Sequence, residues 1–354
     1  MARFRDRLFS LLVGDQSPES PQRSTAHASA PTAPSRFEPA LVFDHGKHPA
    51  RWDIPVLEIS YYPSVDGQQI DTSATGDVSG SVAQIRNHVA VTGATVRKAL
   101  MAGSVYHGYR DQQAAPSLRY HTVEHLEFLE PLPTWNKPGH QVPMTDYNAI
   151  MDRVDIASWV ARGVKQVWIW GYHGGVIDLW ESNMAGPHGD ISNSDRDPTD
   201  LPVLDRTYTV YHYNYGRGPS EAVEDHMHQI EALFRELDRE LFWDRFVGPT
   251  PAPAANARCG WAHYPPNGVR DYDWTNRAAA TTDIEDWHPD GGPQVTLDCR
   301  RWNNDSLTWF VYWMQNLPGA DNGIEWNGSM LSNWWEFIYD LDAAIARGLT
   351  LRQG

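Results

Sequence analysis

Apolar positions along the chain fall into short blocks divided by polar stretches rich in glycine and proline. Val56-Leu57-Glu58-Ile59-Ser60-Tyr61-Tyr62 reads as a buried strand that stops at Pro63. A Gly/Asp/Ser/Thr-rich loop follows to Gly80, after which Val82, Ile85, Val89, Val96 and Leu100 recur at helical spacing. Leu118 to Phe128 fits a strand or a helix. Asp146 to Arg162 predicts a helix, with Ile150, Val154, Ile156 and Val160 apolar and Gly163 as its stop. Val164 to Trp170 is then a core strand ending in the loop Gly171-Tyr172-His173-Gly174-Gly175. Ser220 to Phe246 predicts the longest helix, opened by Gly218-Pro219, with Val223, Met227, Ile230, Phe234, Leu237 and Leu241 on one stripe. A last helix is expected around Trp334 to Ala346.

Alternation of strand, helix and strand implies an α/β fold, a largely parallel sheet flanked by helices. Ligands in such folds sit beyond the carboxyl ends of the strands, which directs attention to the loop after Trp170. The expected layout has three parts. Residues 1–14 form a short basic amphipathic segment, in which Arg3, Arg5 and Arg7 alternate with apolar residues. Residues 15–40 form a disordered tether, because eleven of the nineteen residues from Ser17 to Ser35 are Ser, Thr or Pro. Residues 41–351 form one α/β domain, whose portion from about 249 to 330 is loop-rich and Trp-rich. The amino-terminal segment lacks the long apolar stretch and clear cleavage site of a secretory signal; it suits a docking peptide, a peripheral membrane contact, an inefficient export signal or a frayed extension.

Composition narrows the classes. With 29 basic and 45 acidic side chains the net charge is −16, against a general nucleic-acid binder. No apolar run approaches the roughly 20 residues of a transmembrane helix. There are 16 tryptophans, ten of them between Trp243 and Trp335. Indoles stack on sugar rings, but they also fill cores and donate their N–H groups internally. The two cysteines, Cys259 and Cys299, predict a disulfide closing a loop of roughly 40 residues, with two buried thiols or a metal or catalytic role as the alternatives.

Three polar clusters carry candidate chemistry. The first joins His173 to Trp180-Glu181-Ser182-Asn183-Met184, where a carboxylate between apolar neighbours suits a general acid. The second lies on the long helix: Glu224, His228 and Glu231 follow i, i+4, i+7 spacing along one flank, with His226 on the opposite flank. His228, Glu231 and His226 are the candidate ligands of a divalent metal ion, and Glu224 and Glu231 are acid/base candidates. A solvated helix face would read the same way. The third is His263-Tyr264-Pro265-Pro266-Asn267-Gly268 with Asp271-Tyr272-Asp273-Trp274, a rigid loop offering one carboxylate to a ligand and one inward, a pattern that Asx turns also produce. His121-Thr122-Val123-Glu124-His125 matches the inverted zinc-protease pattern, which works only on a helix. Asn193 to Asp205 lacks the glycine and terminal glutamate of an EF-hand loop. No nucleophile elbow, P-loop or dinucleotide-binding glycine motif occurs.

The strings Gly103-Ser104-Val105-Tyr106-His107-Gly108-Tyr109, Val167 to His173, Trp180 to Met184, Tyr213 to Gly218, Glu224 to Glu231 and His263 to Gly268 resemble those of a group of uncharacterised bacterial proteins, many apparently exported. The resemblance runs over roughly residues 55–345 and implies no activity; the zinc-protease match is outside it.

Together these observations point to a hydrolase acting on a carbohydrate-containing polymer, by carboxylate and histidine acid-base chemistry or with a metal. Glu181, Glu224, Glu231, His173, His263 and Asp271 are its candidate catalytic residues. The alternatives are a non-catalytic glycan-binding or surface-interaction module, a metalloprotease, and a cargo protein delivered through residues 1–14. An extracellular or cell-envelope location is favoured over a cytoplasmic one.

Overall fold

The structure, a computed structural model, describes residues 48–352 except 195 and 254; the segments expected at 1–14 and 15–40 lie outside the described residues. Strand β1 (Trp52–Tyr61) leads to helix α1 (Val82–Gly103), whose start is fixed by a capping box between Ser81 and Gln84. The chain returns as β2 (Leu118–Phe128), parallel to β1. Helices α2 (Tyr147–Arg153) and α3 (Ile156–Ala161) carry it across to β3 (Gln166–Gly171), parallel to β1 on its other side. After the short strands β4 (Ser182–Ala185) and β5 (Ile191–Ser192), β6 (Tyr208–Asn214) pairs parallel with β3. The six strands stand in the order β2-β1-β3-β6-β4-β5.

The α/β class holds, but the expectation of a largely parallel sheet is corrected to a mixed one. β4 runs antiparallel to both β6 and β5, and the three two-stranded pairs elsewhere are antiparallel too. The reason is local: β4 and β5 follow one another through a short connection, which permits only a reversal. All six residues of β3 are buried, as expected of the continuous apolar run Val167 to Trp170 when both faces are covered.

Three expected helices are shorter than their apolar periodicity suggested. Asp155 takes a left-handed conformation (φ 52°) and splits the Asp146–Arg162 segment in two. Helix α4 (Pro219–Leu237) ends at Asp238, whose side chain accepts from Leu241 N (2.9 Å) and starts a π-helical segment, Glu240–Val247. Asp340 likewise caps a new helix through Ala343 N, so the last segment divides into Trp335–Tyr339 and Leu341–Ala346. The ambiguous Leu118–Phe128 segment is a strand, so His121-Thr122-Val123-Glu124-His125 has no helix on which to gather its histidines; His125 instead sits 2.8 Å from Ser60 Oγ. Cys259 and Cys299 are separate buried thiols, which corrects the expected disulfide.

The crevice at the carboxyl ends of β1, β3 and β6 is filled by Tyr62, Tyr172 and Tyr215. Their rings are 6.0 to 6.2 Å apart and buried. The tyrosines therefore occupy the place where the fold would ordinarily hold a ligand.

Buried imidazoles make this fold acid-sensitive. His212 on β6 is 1% exposed, and burial pushes its pKa down to about 3. Burial similarly lowers His107, stacked on Tyr106, to about 4. Both folded values lie below the unfolded value near 6.5, so the unfolded chain binds more protons and stability is lost as the pH falls from there. Each imidazole removes about 1.4 kcal/mol per pH unit over its window. Thermal denaturation in chelating buffer should show the midpoint falling steadily between pH 6.5 and 5; a flat midpoint would contradict the buried, neutral rings.

Candidate metal centre

Helix α4 is buried along its whole middle, from Ala222 to Phe234. One flank faces the sheet, where His226 stacks on Tyr211 (3.7 Å between centroids) and its Nε2 lies 2.7 Å from the Tyr213 hydroxyl. The opposite flank presents Glu224, His228 and Glu231, one above the other as their spacing requires. That flank is covered by residues 260–274, so these side chains are not a solvated helix face: Glu224 and His228 are each 5% exposed.

The covering loop is held by indoles. Trp313 donates to Gly260 O (2.9 Å), while Trp309 (3.1 Å) and Trp274 (2.9 Å) both donate to Ala262 O. Ala262 N donates in turn to Glu231 Oε1 (2.8 Å), tying the loop to the helix. Gly260 adopts φ +69°, and a Cβ there would come within 2.1 Å of Tyr264 O, so the turn that delivers His263 requires glycine.

His263 enters the helix flank with both nitrogens engaged. Nδ1 lies 3.0 Å from Asp271 Oδ1, and Nε2 lies 3.0 Å from Glu224 Oε1 and 3.1 Å from His228 Nε2. His228 repeats the arrangement: Nδ1 lies 3.0 Å from Glu231 Oε2 and Nε2 lies 3.5 Å from Glu224 Oε1. A carboxylate only accepts, so Asp271 and Glu231 favour a proton on each Nδ1 while Glu224 favours one on each Nε2; a neutral ring satisfies one side only, and the arrangement open to a metal ion is the one with both protons on Nδ1. In the neutral rings both Nε2 atoms are then bare lone pairs, converging with a carboxylate oxygen. Three acceptors so placed require positive charge between them, either extra protons or a metal ion.

The charge balance agrees. Burial works to raise Glu224, but its hydrogen bonds with His228 and His263 outweigh it and hold the carboxyl well below the usual range. Burial works to lower His228, but Glu224 and Glu231 outweigh it and raise the imidazole well above its ordinary value. The same electron-rich set that draws protons would draw a divalent ion.

The geometry suits one. The donor atoms of Glu224, His228 and His263 all lie within 4.8 Å of one another. Their separations of 3.0, 3.1 and 3.5 Å bracket the edge of a donor set with bonds of about 2.1 Å, roughly 3.0 Å in an octahedron and 3.4 Å in a tetrahedron. Imidazole nitrogens favour zinc or another first-row transition ion over calcium or magnesium. Asp271 and Glu231 stand where outer carboxylates orient metal-bound histidines.

Of the residues singled out from the sequence, Glu224, His228, Glu231, His263 and Asp271 come together. Glu181 stands beside them: its Oε2 accepts from Asn193 Nδ2 (2.6 Å), and its charge reaches His228. Two do not join. His226, expected among the ligands, faces the sheet because residue 226 lies about 200° around the helix from 224. His173 stays in the loop after β3, with its Nδ1 bonded to Ile177 O. Glu231 touches the cluster from behind, through His228 Nδ1, so the third donor is His263. Asp273, alternating with Asp271, turns inward and closes the 269–276 turn through Val269 N (3.0 Å) and Asn276 Nδ2 (2.9 Å).

Comparison of the chain with protein-family models, with curated proteins and with solved structures finds no match in any of the three. The chain itself displays an α/β fold with a buried two-histidine, one-carboxylate cluster between the helix that follows its last parallel strand and the loop that covers that helix. Among the described residues no helix is long and apolar enough to cross a membrane.

Proposed function

We propose that the chain is a metal-dependent hydrolase, with carbohydrate-containing polymers as its substrate class. The observation that carries the reading is the convergence of Glu224 Oε1, His228 Nε2 and His263 Nε2, with each imidazole backed by its own carboxylate. Three protein ligands leave room for water on a catalytic ion, which lowers the pKa of that water toward neutrality. Glu181, whose charge reaches His228, would serve as the acid/base group, taking a proton from the attacking water and returning it to the leaving oxygen as the hydroxyl adds to the carbon of the broken bond. The half-buried rings of Tyr272 and Trp274, next to the partly exposed Asp271, are the aromatic groups nearest the cluster in sequence that keep some face for a sugar ring.

A purely glycan-binding module draws less support. Of the ten tryptophans between Trp243 and Trp335, only Trp243 and Trp274 keep appreciable exposure, which makes most of these indoles core and loop anchors. The decisive measurement is the metal content of the purified chain after equilibration with zinc and dialysis. About one ion per chain is expected, reduced by about 100-fold in affinity in Glu224→Gln and in His263→Asn, each shown to be folded by circular dichroism. A folded wild-type chain that retains no zinc, or variants that retain it fully, would overturn the reading.

A further inference from the structure

Arg235 occupies the same flank of α4 as Glu224, His228 and Glu231, one turn beyond the last of them. It is half-buried, yet it makes no hydrogen bond or ion pair among the described residues. A guanidinium that gives up part of its hydration without a partner does so at a cost, and that cost rises with burial.

Its neighbours emphasise the exception. Arg196 pairs with Glu236 (2.9 Å) and Arg239 approaches Asp244 (3.8 Å). The natural partner of Arg235 is Glu231, four residues before it. Glu231 is unavailable, because Oε2 is taken by His228 Nδ1 (3.0 Å) and Oε1 by Ala262 N (2.8 Å). A position in the last helical turn offsets part of the burial through the helix dipole, but supplies no fork of acceptors. Arg196 and Arg239 are thus matched by Glu236 and Asp244, and of the three Arg235 is the one with no partner among the described residues.

We infer that Arg235 is the anchor for an oxyanion of the substrate, a carboxylate or a phosphate carried on the sugar chain. The guanidinium fork matches either group bidentately. Residues 228 and 235 are about 10 Å apart along the helix axis, and helical Cα–Cβ bonds tilt toward the amino-terminal turn, so the anionic group would lie within about 10 Å of the bond cleaved. The placement relative to that bond rests on the metal-dependent reading above; the anion site itself does not.

Three sugars of similar size separate the possibilities: glucose, glucuronate and glucose 6-phosphate. Their binding is measured by calorimetry on zinc-loaded and on chelator-treated protein, for the wild type and for Arg235→Gln. At least one anionic sugar should bind tighter than glucose and lose about tenfold or more in affinity in Arg235→Gln, with its zinc content unchanged. Preference for glucuronate assigns a carboxylate; preference for glucose 6-phosphate assigns a phosphate. Anionic sugars that bind no better than glucose, or equally well to Arg235→Gln, overturn the inference. Arg235-dependent binding in a chain that takes up no zinc upholds it and overturns only the hydrolase reading.

Discussion

Glu231→Gln should yield a folded protein that holds zinc about 100-fold more weakly at the proposed site. Glu231 accepts from two donors at once, Ala262 N and His228 Nδ1. A glutamine fits the same space but brings one acceptor and one donor group. The backbone N–H of Ala262 can only donate, so the amide oxygen must face it. The amide nitrogen then faces His228 Nδ1 and obliges that atom to accept. The imidazole proton moves to Nε2, which ceases to be a ligand. Zinc affinity should fall by about 100-fold while thermal stability changes by about 1 kcal/mol. Glu231→Ala instead leaves both donors without acceptors, at about 1–3 kcal/mol each, and should lose stability as well as metal. Metal content and chemical denaturation of the two variants provide the check. Full zinc retention in Glu231→Gln would show that Glu231 does not set the tautomer of His228.

Gly260→Ala should damage fold and site together. The new Cβ meets the backbone oxygen of Tyr264 at 2.1 Å in a left-handed turn, and neither can move without shifting Ala262 and His263. Gly323 is an internal control, because it has nearly the same φ (+68°) with nothing within 4 Å of an added Cβ. Gly323→Ala should cost only the backbone preference, about 1 kcal/mol, whereas Gly260→Ala should cost about 3 kcal/mol and lower zinc affinity. Urea denaturation separates the two. Equal losses would mean that the turn relaxes freely and does not fix His263.

Much of the donor set was legible in the sequence because it obeys helix geometry. Spacing alone places Glu224, His228 and Glu231 on one flank, and the rigid His263 loop stands out by its prolines and glycine. Spacing cannot say which carboxylate faces the ion and which stands behind, because that depends on where His263 enters from a distant loop. The same limit hid Arg235: a basic residue four after an acidic one reads as an ordinary surface pair until both oxygens of Glu231 are seen to be occupied. The strands were recognisable from their apolar runs, whereas β4 and β5 are too short to announce their antiparallel direction. Helix ends were misjudged at Asp155, Asp238 and Asp340, where a single aspartate redirects a chain whose apolar periodicity continues.

The covering loop also has a bearing on how the protein is made. All six strands of the main sheet and the whole of α4 lie before residue 240, while His263 and the indoles of Trp274, Trp309 and Trp313 that hold its loop come later. A chain growing from its amino terminus can complete the sheet with Glu224 and His228 already in place and the third donor still unsynthesised. The pair alone would be a weak and exchangeable ligand for any ion it met. Capture of an ion at the proposed site would therefore follow the synthesis of residues 260–313, when that part of the chain closes over the helix.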